Sequence, residues 1–475
     1  MLMKKLLSVF VGILSATSLF ASDYAVKKIG GVPTIVMDGK PVNARMLYVN
    51  QNGSMPVQLS DQWKEISSTF TSTENSKNSA IHFRYATINR KFFIKKIEIT
   101  NLTTGKVLKT LDTQSEKPNL RFWCAGIYRT KNLDVSIKNV EENGERFTLI
   151  KTGAFDPNLD GFHLLFDGIT INKGETYKIV AVVKTDAKST LLKSEFRAQD
   201  LNYKVLTSFS VGNPLDIQTK LASDIGVDFV TLPIIVSWTD ADKEKVFADI
   251  KNAYDRLIKV NPNVKIIPRI RFYPSEEWKR LHPDDMMKYS DGKIENAFTS
   301  IASENYRQAC LRALRELIEF SEKNYAKNMA GYHPTGGNTH EWFYGNTWKP
   351  QYSGYDKQTL KAWRKWLVEK YSTDSALQQA WNNQSVKLES AEVPTAERRA
   401  NCGDIIDPQM YQDVIDFNIF LQDDMVSIIK LLSDEVRKLV PNRLVVIFYG
   451  YGCEFSSVMN GPAFSGHYGL QKLLK

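Results

Sequence analysis

The sequence predicts a multidomain α and β fold, in which an antiparallel, jelly-roll-like β-sandwich precedes a (β/α)8 TIM-type barrel. Apolar residues alternate with period two from residue 22 to residue 203, as they do in half-buried strands. From residue 204 to residue 475, strand-like and helix-like segments alternate, which is typical of a parallel sheet covered by helices. About five strand-like segments occur in this second part, so we expect an incomplete barrel.

The first 21 residues have the pattern of a secretory signal peptide. Two lysines precede an apolar run from Leu6 to about Phe20, and the small residue Ala21 ends it. The run is short for a membrane span, which needs about 20 apolar residues. We therefore predict a leader over residues 1–21, export to the periplasm or the medium, and no membrane association after cleavage. An uncleaved anchor is the alternative.

Composition restricts the function classes. The 475 residues carry a formal net charge of +9, but Lys and Arg are scattered along the chain, so we expect no nucleic-acid partner. The four cysteines match no zinc-binding spacing, and we expect neither a metal nor another cofactor. Aromatic residues make up 11% of the chain, a content that suits either sugar binding or a large core.

Residues 22–203 contain the segments with period-two alternation. Examples are Ala80–Tyr85, Phe92–Ile99, Phe147–Lys151 and Tyr177–Lys184. The stretches Gln62–Ile66 and Ile94–Leu102 resemble the closing half of a carbohydrate-binding jelly roll, and Gly174–Ile179 resembles its opening half. The two halves occur in reversed order, so the resemblance implies a permuted, carbohydrate-binding-like sandwich.

The pattern changes near Leu206. The predicted strands are Val205–Val211, Asp228–Val236, Val264–Phe272, Asn328–Tyr332 and Leu444–Tyr449. The predicted helices are Leu215–Ile225, Asp240–Val260, Ser303–Tyr325, Asp356–Tyr371 and a long amphipathic helix that bears Val414 to Leu439 and ends before Pro441. Because a complete barrel needs eight strands, we expect this chain to be a fragment of a longer protein.

A cluster of small, polar and aromatic residues follows the fourth predicted barrel strand. Reactive groups of such barrels lie at the carboxyl ends of strands. Glu341 is the carboxylate of this cluster, and its aromatic neighbours Trp342 and Phe343 would raise its pKa, as a glycosidase acid requires. Asn338 is a candidate to bind a sugar hydroxyl, and His340 to orient Glu341. The alternative is that Glu341 is a rim carboxylate or an ion-pair partner.

Further candidates for substrate binding lie at the ends of other strands. They are Trp238 after the second strand, Arg271 on the third, Trp342 and Tyr344 after the fourth, and Glu454 after the fifth. Arg271 alternates with Arg269, and the alternative role for either arginine is an ion pair in the barrel core. For Glu454, a solvated or structural position explains the residue as well as substrate binding does. His333 and His340 have no evident third partner for a metal.

From about Val205 the chain resembles the catalytic barrel of glycoside hydrolase family 42, the β-galactosidases of clan A. The likeness includes Trp238, the stretch Pro274–Trp278 followed by His282-Pro283-Asp284, and the run Trp363–Tyr371 with Trp381 after it. It implies that Glu341 is the acid/base. Two features depart from the family: two residues separate Asn338 from Glu341, and the family's nucleophile on strand seven would lie beyond Lys475.

Two functions from different classes follow. The first is a glycoside hydrolase that cleaves β-galactosides or related β-linked glycans with retention, using two carboxylates and an oligo- or polysaccharide substrate. The second is a carbohydrate-binding protein without catalysis, or an inactive glycosidase fragment.

Overall fold

The computed structural model describes eleven stretches of the chain. They are residues 21–49, 57–85, 90–123, 135–153, 163–186, 190–209, 213–336, 340–347, 351–403, 405–451 and 465–475. Residues 1–20 of the predicted leader lie outside them. Contacts divide the chain into two compact units, one formed by residues 51–217 and the other by residues 1–50 together with 218–475.

The unit of residues 51–217 consists of antiparallel strands. They are β5 (Val57–Leu59), β6 (Lys64–Thr71), β7 (Ser76–Tyr85), β8 (Arg90–Asn101), β9 (Lys106–Thr110), β10 (Arg121–Trp123), β11 (Val135–Glu142), β12 (Glu145–Thr152), β13 (His163–Ile171), β14 (Thr176–Thr185), β15 (Thr190–Ala198) and β16 (Lys204–Ser208). One sheet has the order β10-β13-β7-β15-β16, with β5 beside β15. The other has the order β11-β12-β8-β14-β6, with β9 beside β8.

The two antiparallel sheets share one apolar core. Strand β8 buries Ile94, Ile97 and Ile99 in it, whereas Phe166 and Phe196 enter the same cluster from the other sheet. Alternate residues of a strand point to opposite faces, so one apolar face per sheet is enough to form a sandwich. The four strand segments predicted from alternation lie within β7, β8, β12 and β14. The likeness to a carbohydrate-binding module stays a prediction.

The second unit contains a parallel sheet and its helices. Its other strands are β1 (Tyr24–Ile29), β2 (Val32–Met37), β3 (Lys40–Pro41), β4 (Met46–Tyr48), β17 (Phe229–Ile235), β18 (Lys265–Phe272), β19 (Met286–Lys288), β20 (Ile294–Thr299), β21 (Gly331–Gly336) and β22 (Leu444–Val445). Strands β22-β21-β18-β17-β4 form the sheet, all parallel. Strands β1–β3 form an antiparallel sheet, and β19 pairs with β20.

The helices of this unit largely follow the predicted ranges. They are α1 (Pro214–Asp224), α2 (Asp240–Val260), α3 (Glu276–Leu281), α4 (Glu304–Tyr325), α5 (Lys357–Tyr371), α6 (Asp374–Trp381), α7 (Ala396–Ala400), α8 (Pro408–Leu439) and α9 (Leu470–Leu473). Side-chain caps define several starts, as when Asp356 accepts a hydrogen bond from the backbone N of Thr359 at 2.8 Å. None of the helices in the described stretches is long and apolar enough to cross a membrane.

The first parallel strand differs from the predicted one. The sequence placed it at Val205–Val211, but Lys204–Ser208 pairs antiparallel with β15 and belongs to the sandwich. Strand β4 takes the place instead, because Met46 pairs in parallel with Phe229 on β17. A three-residue strand has too few residues to show a period, so alternation alone could not separate it from the sandwich strands before and after it.

The predicted domain boundary therefore needs a correction. The sequence assigned residues 22–203 to one domain and residues 204–475 to the other. The contacts instead place residues 21–49 with the parallel sheet and put the second boundary within α1, between residues 217 and 218. Along the chain, the sandwich is an insertion between the first parallel strand and the first helix.

The parallel sheet is strongly curved. Its edge strands are β4 and β22, yet the guanidinium carbon of Arg269 on the central strand lies 5.6 Å from the ring centre of Tyr48 and 4.7 Å from that of Phe448. Tyr48 ends β4 and Phe448 follows β22, so the carboxyl ends of both edges approach one side chain. Within the described stretches the sheet has five parallel strands, and closure into eight stays a prediction.

Candidate active site

The carboxyl ends of β18 and β21 bring the candidate residues together. The two strands are parallel, with Arg269 opposite His333 and Arg271 opposite Thr335. Residues two apart on a strand point to the same face, so both arginines lie on the face that carries His333. The Thr335 hydroxyl donates to the carbonyl of Ile270 at 2.6 Å and fixes the two strand ends to each other.

Glu341 lies in the segment that follows β21. Its side chain is half-buried, and the Tyr451 hydroxyl donates a hydrogen bond to its Oε1 at 3.3 Å. Tyr451 follows β22, the neighbouring strand of β21. The carboxylate is thus held between the ends of two adjacent strands while part of it stays accessible to solvent, which is where a general acid of this fold would act.

Trp342 and Tyr344 anchor the segment that carries Glu341. Trp342 is 2% exposed, and its indole N–H donates to the carbonyl of Pro334 at 3.2 Å. Its ring packs on Gly336, where an added Cβ would lie 2.5 Å from a ring carbon, so only glycine fits there. Tyr344 is 1% exposed, and its hydroxyl donates to Asp424 at 3.1 Å. Both rings are buried, so they anchor the segment, and their roles in substrate binding stay predictions.

Trp238 is also buried rather than available to a ligand. Its side chain is 3% exposed and stacks on Tyr306, with ring centres 6.1 Å apart and planes 5° from parallel. Trp278 meets it edge-on at 5.8 Å. Trp238 therefore stabilises the packing around the end of β17, and its contact with substrate stays a prediction.

The two arginines are both half-buried but differ in their contacts. Arg269 donates from Nη2 to the carbonyl of His340 at 2.6 Å, and Tyr48 and Phe448 flank its guanidinium. The guanidinium carbon of Arg271 lies 4.7 Å from the ring centre of Tyr273. The Nε atoms of both arginines are buried without a hydrogen-bond partner. Among the described residues, neither arginine forms an ion pair, and the alternative of a core ion pair stays open.

The two histidines next to the arginines are held neutral. Burial, followed by the charge of Arg269, lowers the pKa of His333 to about 3. Burial, followed by the charges of Arg271 and Arg269, lowers the pKa of His340 to about 4. His340 has a positive φ of 63°, and its buried Nδ1 has no hydrogen-bond partner. We had expected His340 to orient Glu341, but it is Tyr451 that donates to the carboxylate.

His467 packs against the residues that hold Glu341. Its Nδ1 accepts hydrogen bonds from the backbone N–H groups of Gly450 at 3.1 Å and Tyr451 at 3.3 Å. Its ring stacks on that of Tyr451, with centres 4.9 Å apart, and lies 4.6 Å from that of Phe343. Burial lowers the pKa of His467 to about 4, although a hydrogen bond with the Trp342 backbone opposes this shift. The imidazole thus joins the segments after β21 and β22.

Sequence reasoning missed Tyr451, His467 and the aromatic flanks Tyr48 and Phe448. The run of tyrosines around Gly450 was a usable signal, but the neighbouring Glu454 drew the prediction instead. Asn338 and Glu454 lie outside the described residues, as do the other residues 337–339 and 452–464. In the described part of the chain, no group of three or more His, Cys, Asp or Glu residues is placed to hold a metal ion.

The part of the chain that carries the parallel sheet matches a known protein family. A family model described as beta-galactosidase, that of glycoside hydrolase family 42, matches residues 221–460, about half of the chain. The chain belongs to glycoside hydrolase family 42. The matched segment begins within α1 and includes β17, β18, β21 and β22. It therefore contains Glu341 and Tyr451, whereas His467 lies after its end. This confirms the resemblance seen in the sequence. No curated protein matched the chain.

Three solved structures resemble parts of the chain. A β-galactosidase from the psychrophilic Marinomonas ef1 is 21% identical, with 50% of this chain and 35% of that chain covered and a TM-score of 0.38. The catalytic domain of a β-amylase from Paenibacillus polymyxa is 14% identical, with 55% and 69% covered and a TM-score of 0.44. A family 42 exo-carrageenase from Bacteroides ovatus is 15% identical, with 52% and 31% covered and a TM-score of 0.37.

The family 42 chain described here spans about a third of the length of the β-galactosidase and the exo-carrageenase. Membership indicates a glycoside hydrolase domain. The described residues show one carboxylate, Glu341, in the segment after β21, at the edge of the sheet where the family's chemistry is expected.

Proposed function

We propose that this protein is a glycoside hydrolase that cleaves β-galactosides or related β-linked glycans, with Glu341 as the acid/base. The observation that carries the proposal is the position of Glu341. It follows β21 at the carboxyl edge of a parallel sheet in a family 42 domain, and the hydroxyl of Tyr451 donates to its Oε1 at 3.3 Å. The description of the family as beta-galactosidase supports the sugar class.

The proposed mechanism retains the anomeric configuration. Glu341 donates its proton to the glycosidic oxygen while a second carboxylate attacks the anomeric carbon, and the bond to the leaving oxygen breaks. Glu341 then accepts a proton from the water that releases the sugar from the covalent intermediate. Tyr451 would hold the side chain of Glu341 in position through both steps. Tyr48 and Phe448, which are 43% and 39% exposed, supply aromatic faces on which a pyranose could pack.

A carbohydrate-binding protein without catalysis is the second candidate. The observation that favours it is the spacing of Asn338 and Glu341, which are separated by two residues here although the family places the asparagine directly before its acid. For either function we propose that residues 1–21 direct export of the chain, so that it meets glycans outside the cytoplasm.

The test is turnover of a panel of nitrophenyl β-glycosides and natural oligosaccharides by the protein and by Glu341→Gln. We expect the substitution to lower turnover of natural glycans by about a hundredfold or more, with binding largely kept, as loss of a general acid does. Nitrophenyl substrates should lose less, because a good leaving group needs little protonation. Glu277→Gln on the exposed face of α3 is the matched control and should leave turnover unchanged.

Two results would count against catalysis by Glu341. If Glu341→Gln kept the rate of the unsubstituted protein on natural glycans, another carboxylate would be the acid. If the unsubstituted protein bound oligosaccharides but cleaved none of them, the non-catalytic candidate would stand.

A further inference from the structure

The imidazole of His467 holds the turn that follows β22. His467 is 1% exposed, and its Nδ1 accepts hydrogen bonds from the backbone N–H groups of Gly450 at 3.1 Å and Tyr451 at 3.3 Å. A nitrogen that accepts a hydrogen bond must carry a lone pair, so the ring proton of the neutral imidazole lies on Nε2. His467 can therefore hold this turn only in its neutral form.

The surroundings of His467 fix the imidazole in place. Its ring stacks on that of Tyr449, with centres 4.9 Å apart. The Tyr449 hydroxyl donates to the carbonyl of Gly466 at 2.5 Å, and the N–H of Tyr468 donates to the side chain of Gln422 on α8 at 2.7 Å. Because the backbone is held on both sides of His467, loss of the Nδ1 acceptor would displace the turn after β22 rather than the imidazole.

Tyr451 connects this turn to the proposed acid. Its hydroxyl donates to Oε1 of Glu341 at 3.3 Å. That distance already exceeds the usual O–H···O distance of about 2.7 Å, so a small displacement of Tyr451 breaks the bond. The ring of His467 also lies 4.6 Å from that of Phe343, two residues after Glu341. The imidazole thus acts on the carboxylate through Tyr451.

We propose that His467 positions Tyr451, and through it Glu341, only while its imidazole is neutral, so that protonation in acid lowers turnover reversibly. Protonation replaces the Nδ1 lone pair with an N–H donor, which then faces the two backbone N–H groups that it had accepted, and both hydrogen bonds are lost. This inference rests on the proposed function for its effect on turnover, and it adds regulation by pH. His467 lies after residues 221–460, so family membership does not supply this role.

Burial sets the pH at which His467 changes its charge. It lowers the pKa of His467 to about 4, although a hydrogen bond with the Trp342 backbone opposes this shift. The described titratable and charged groups on the elements packed against this turn are Tyr449 and Tyr451 after β22, Glu341 after β21, Asp423 and Asp424 on α8, and Lys472 on α9. Asp423 pairs with Lys472, and Asp424 pairs with Arg307. The turn is therefore held at neutral pH and released as the pH falls through about 4.

The first experiment observes Tyr451 directly and does not depend on catalysis. The full chain with Glu341→Gln, in which this carboxyl cannot titrate, is labelled with fluorotyrosine, and the fluorine NMR signal of Tyr451 is assigned by its loss in Tyr451→Phe. We expect the signal to shift in acid with a midpoint at about pH 4. His467→Asn should abolish the shift, because its Oδ1 takes the place of Nδ1 as an acceptor and gains no proton.

His282→Asn is the matched control. It removes a half-buried histidine that follows α3, and it should leave the shift of the Tyr451 signal unchanged. A Tyr451 signal that does not respond to acid, or that responds equally in His467→Asn, overturns the inference whether or not the protein cleaves glycans.

The second experiment measures the effect on turnover of a natural glycan. At about pH 3.5, roughly three quarters of the His467 side chains are protonated, and loss of the Tyr451 hydrogen bond lowers turnover about tenfold. The ratio of kcat for the unsubstituted protein to kcat for His467→Asn should therefore fall about threefold from about pH 6 to about pH 3.5, with less change in KM. The same ratio should not depend on pH in a Tyr451→Phe background. A constant ratio in the unsubstituted background, or an equal fall in Tyr451→Phe, contradicts the inference.

A failed hydrolase proposal gives a different result. In that case the fluorine signal of Tyr451 still responds to protonation of His467, but no glycan is cleaved at any pH. Circular dichroism at each pH confirms that the fold is retained over the range compared.

A comparison at neutral pH keeps the inference testable if acid unfolds the chain before His467 titrates. His467→Leu removes the acceptor and should shift the Tyr451 signal, whereas His467→Asn keeps an acceptor and should shift it less. The same order is expected for the loss of turnover. Equal signals in the two folded variants would show that His467 does not position Tyr451.

Discussion

The buried carboxylate of Asp416 on α8 allows the sharpest test of the packing described above. It accepts hydrogen bonds from Lys370 at 2.5 Å, Tyr371 at 2.5 Å, Trp381 at 2.8 Å and Gln412 at 2.7 Å. Its side chain is fully buried. We predict that Asp416→Asn strongly destabilises the unit that contains the parallel sheet.

The magnitude follows from the donors. Asparagine has one acceptor oxygen, and its amide N–H groups would face either Lys370 or Trp381, which can only donate, so at least one of the four hydrogen bonds is lost and the others lose a charged acceptor. A hydrogen bond to a charged group contributes about 1.5–3 kcal/mol, and a buried polar group without its partner costs a similar amount. Lys370 is 33% exposed, so water compensates part of its loss. We therefore expect a decrease of about 3–5 kcal/mol in the free energy of unfolding.

The assay is urea unfolding at neutral pH, followed by far-ultraviolet circular dichroism because the helices lie in this unit. Asp434→Asn is the matched control. Asp434 lies on the same helix and pairs with Arg437 at 3.0 Å, but both side chains are more than half exposed, so a loss below about 1 kcal/mol is expected. If the two variants lost similar stability, or if Asp416→Asn lost less than about 1 kcal/mol, the argument from buried donors would be refuted.

Three further predictions concern the candidate site. Tyr451→Phe should lower turnover about tenfold with little change in KM, because Glu341 loses a hydrogen bond that orients it; unchanged turnover of a natural glycan would contradict this. Because the pKa of His467 falls from 6.5 to about 4 on folding, the unfolded chain binds the extra proton between these values, and stability should fall by about 1.4 kcal/mol per unit as the pH drops through this window. Urea midpoints against pH should give a shallower slope for His467→Gln, and equal slopes would exclude the effect. Gly336→Ala should cost about 1–3 kcal/mol in urea unfolding, because its Cβ would lie 2.5 Å from the Trp342 ring; Trp342→Leu in the same chain should recover part of the loss.

The regular elements were predictable where their patterns are long. The helix Asp240–Val260 was predicted with its observed ends, since its apolar residues recur at three and four. In the structure a capping box marks its start. The fourth parallel strand was predicted at Asn328–Tyr332 but occupies Gly331–Gly336. Its later residues include Pro334 and Gly336, which have low strand propensity, and pairing with β18 outweighs that propensity.

The site was predictable in position but less so in its contacts. Glu341 could be found because one carboxylate follows the fourth strand among aromatic residues. Whether those aromatic residues face a ligand or the core could not be read from the sequence, since Trp342 and Tyr344 look alike in either role and proved to be buried. Tyr451 lies 110 residues after Glu341, and only the parallel pairing of β21 with β22 brings them together.

The insertion of the sandwich after β4 sets an order on biosynthesis. Met46 leaves the ribosome well before its partner Phe229, and about 180 residues separate them. At translation rates of roughly 5–20 residues per second, the β4 segment stays unpaired for about 10–40 s. An unpaired strand edge can associate with the wrong partner during this time. Joining strands so distant in sequence also costs about 2 kcal/mol more in loop-closure entropy than joining strands about 20 residues apart, when the intervening chain is unstructured. If the sandwich folds first in the nascent chain, the segment between β4 and β17 is already compact. Pairing of β4 with β17 then costs less loop-closure entropy.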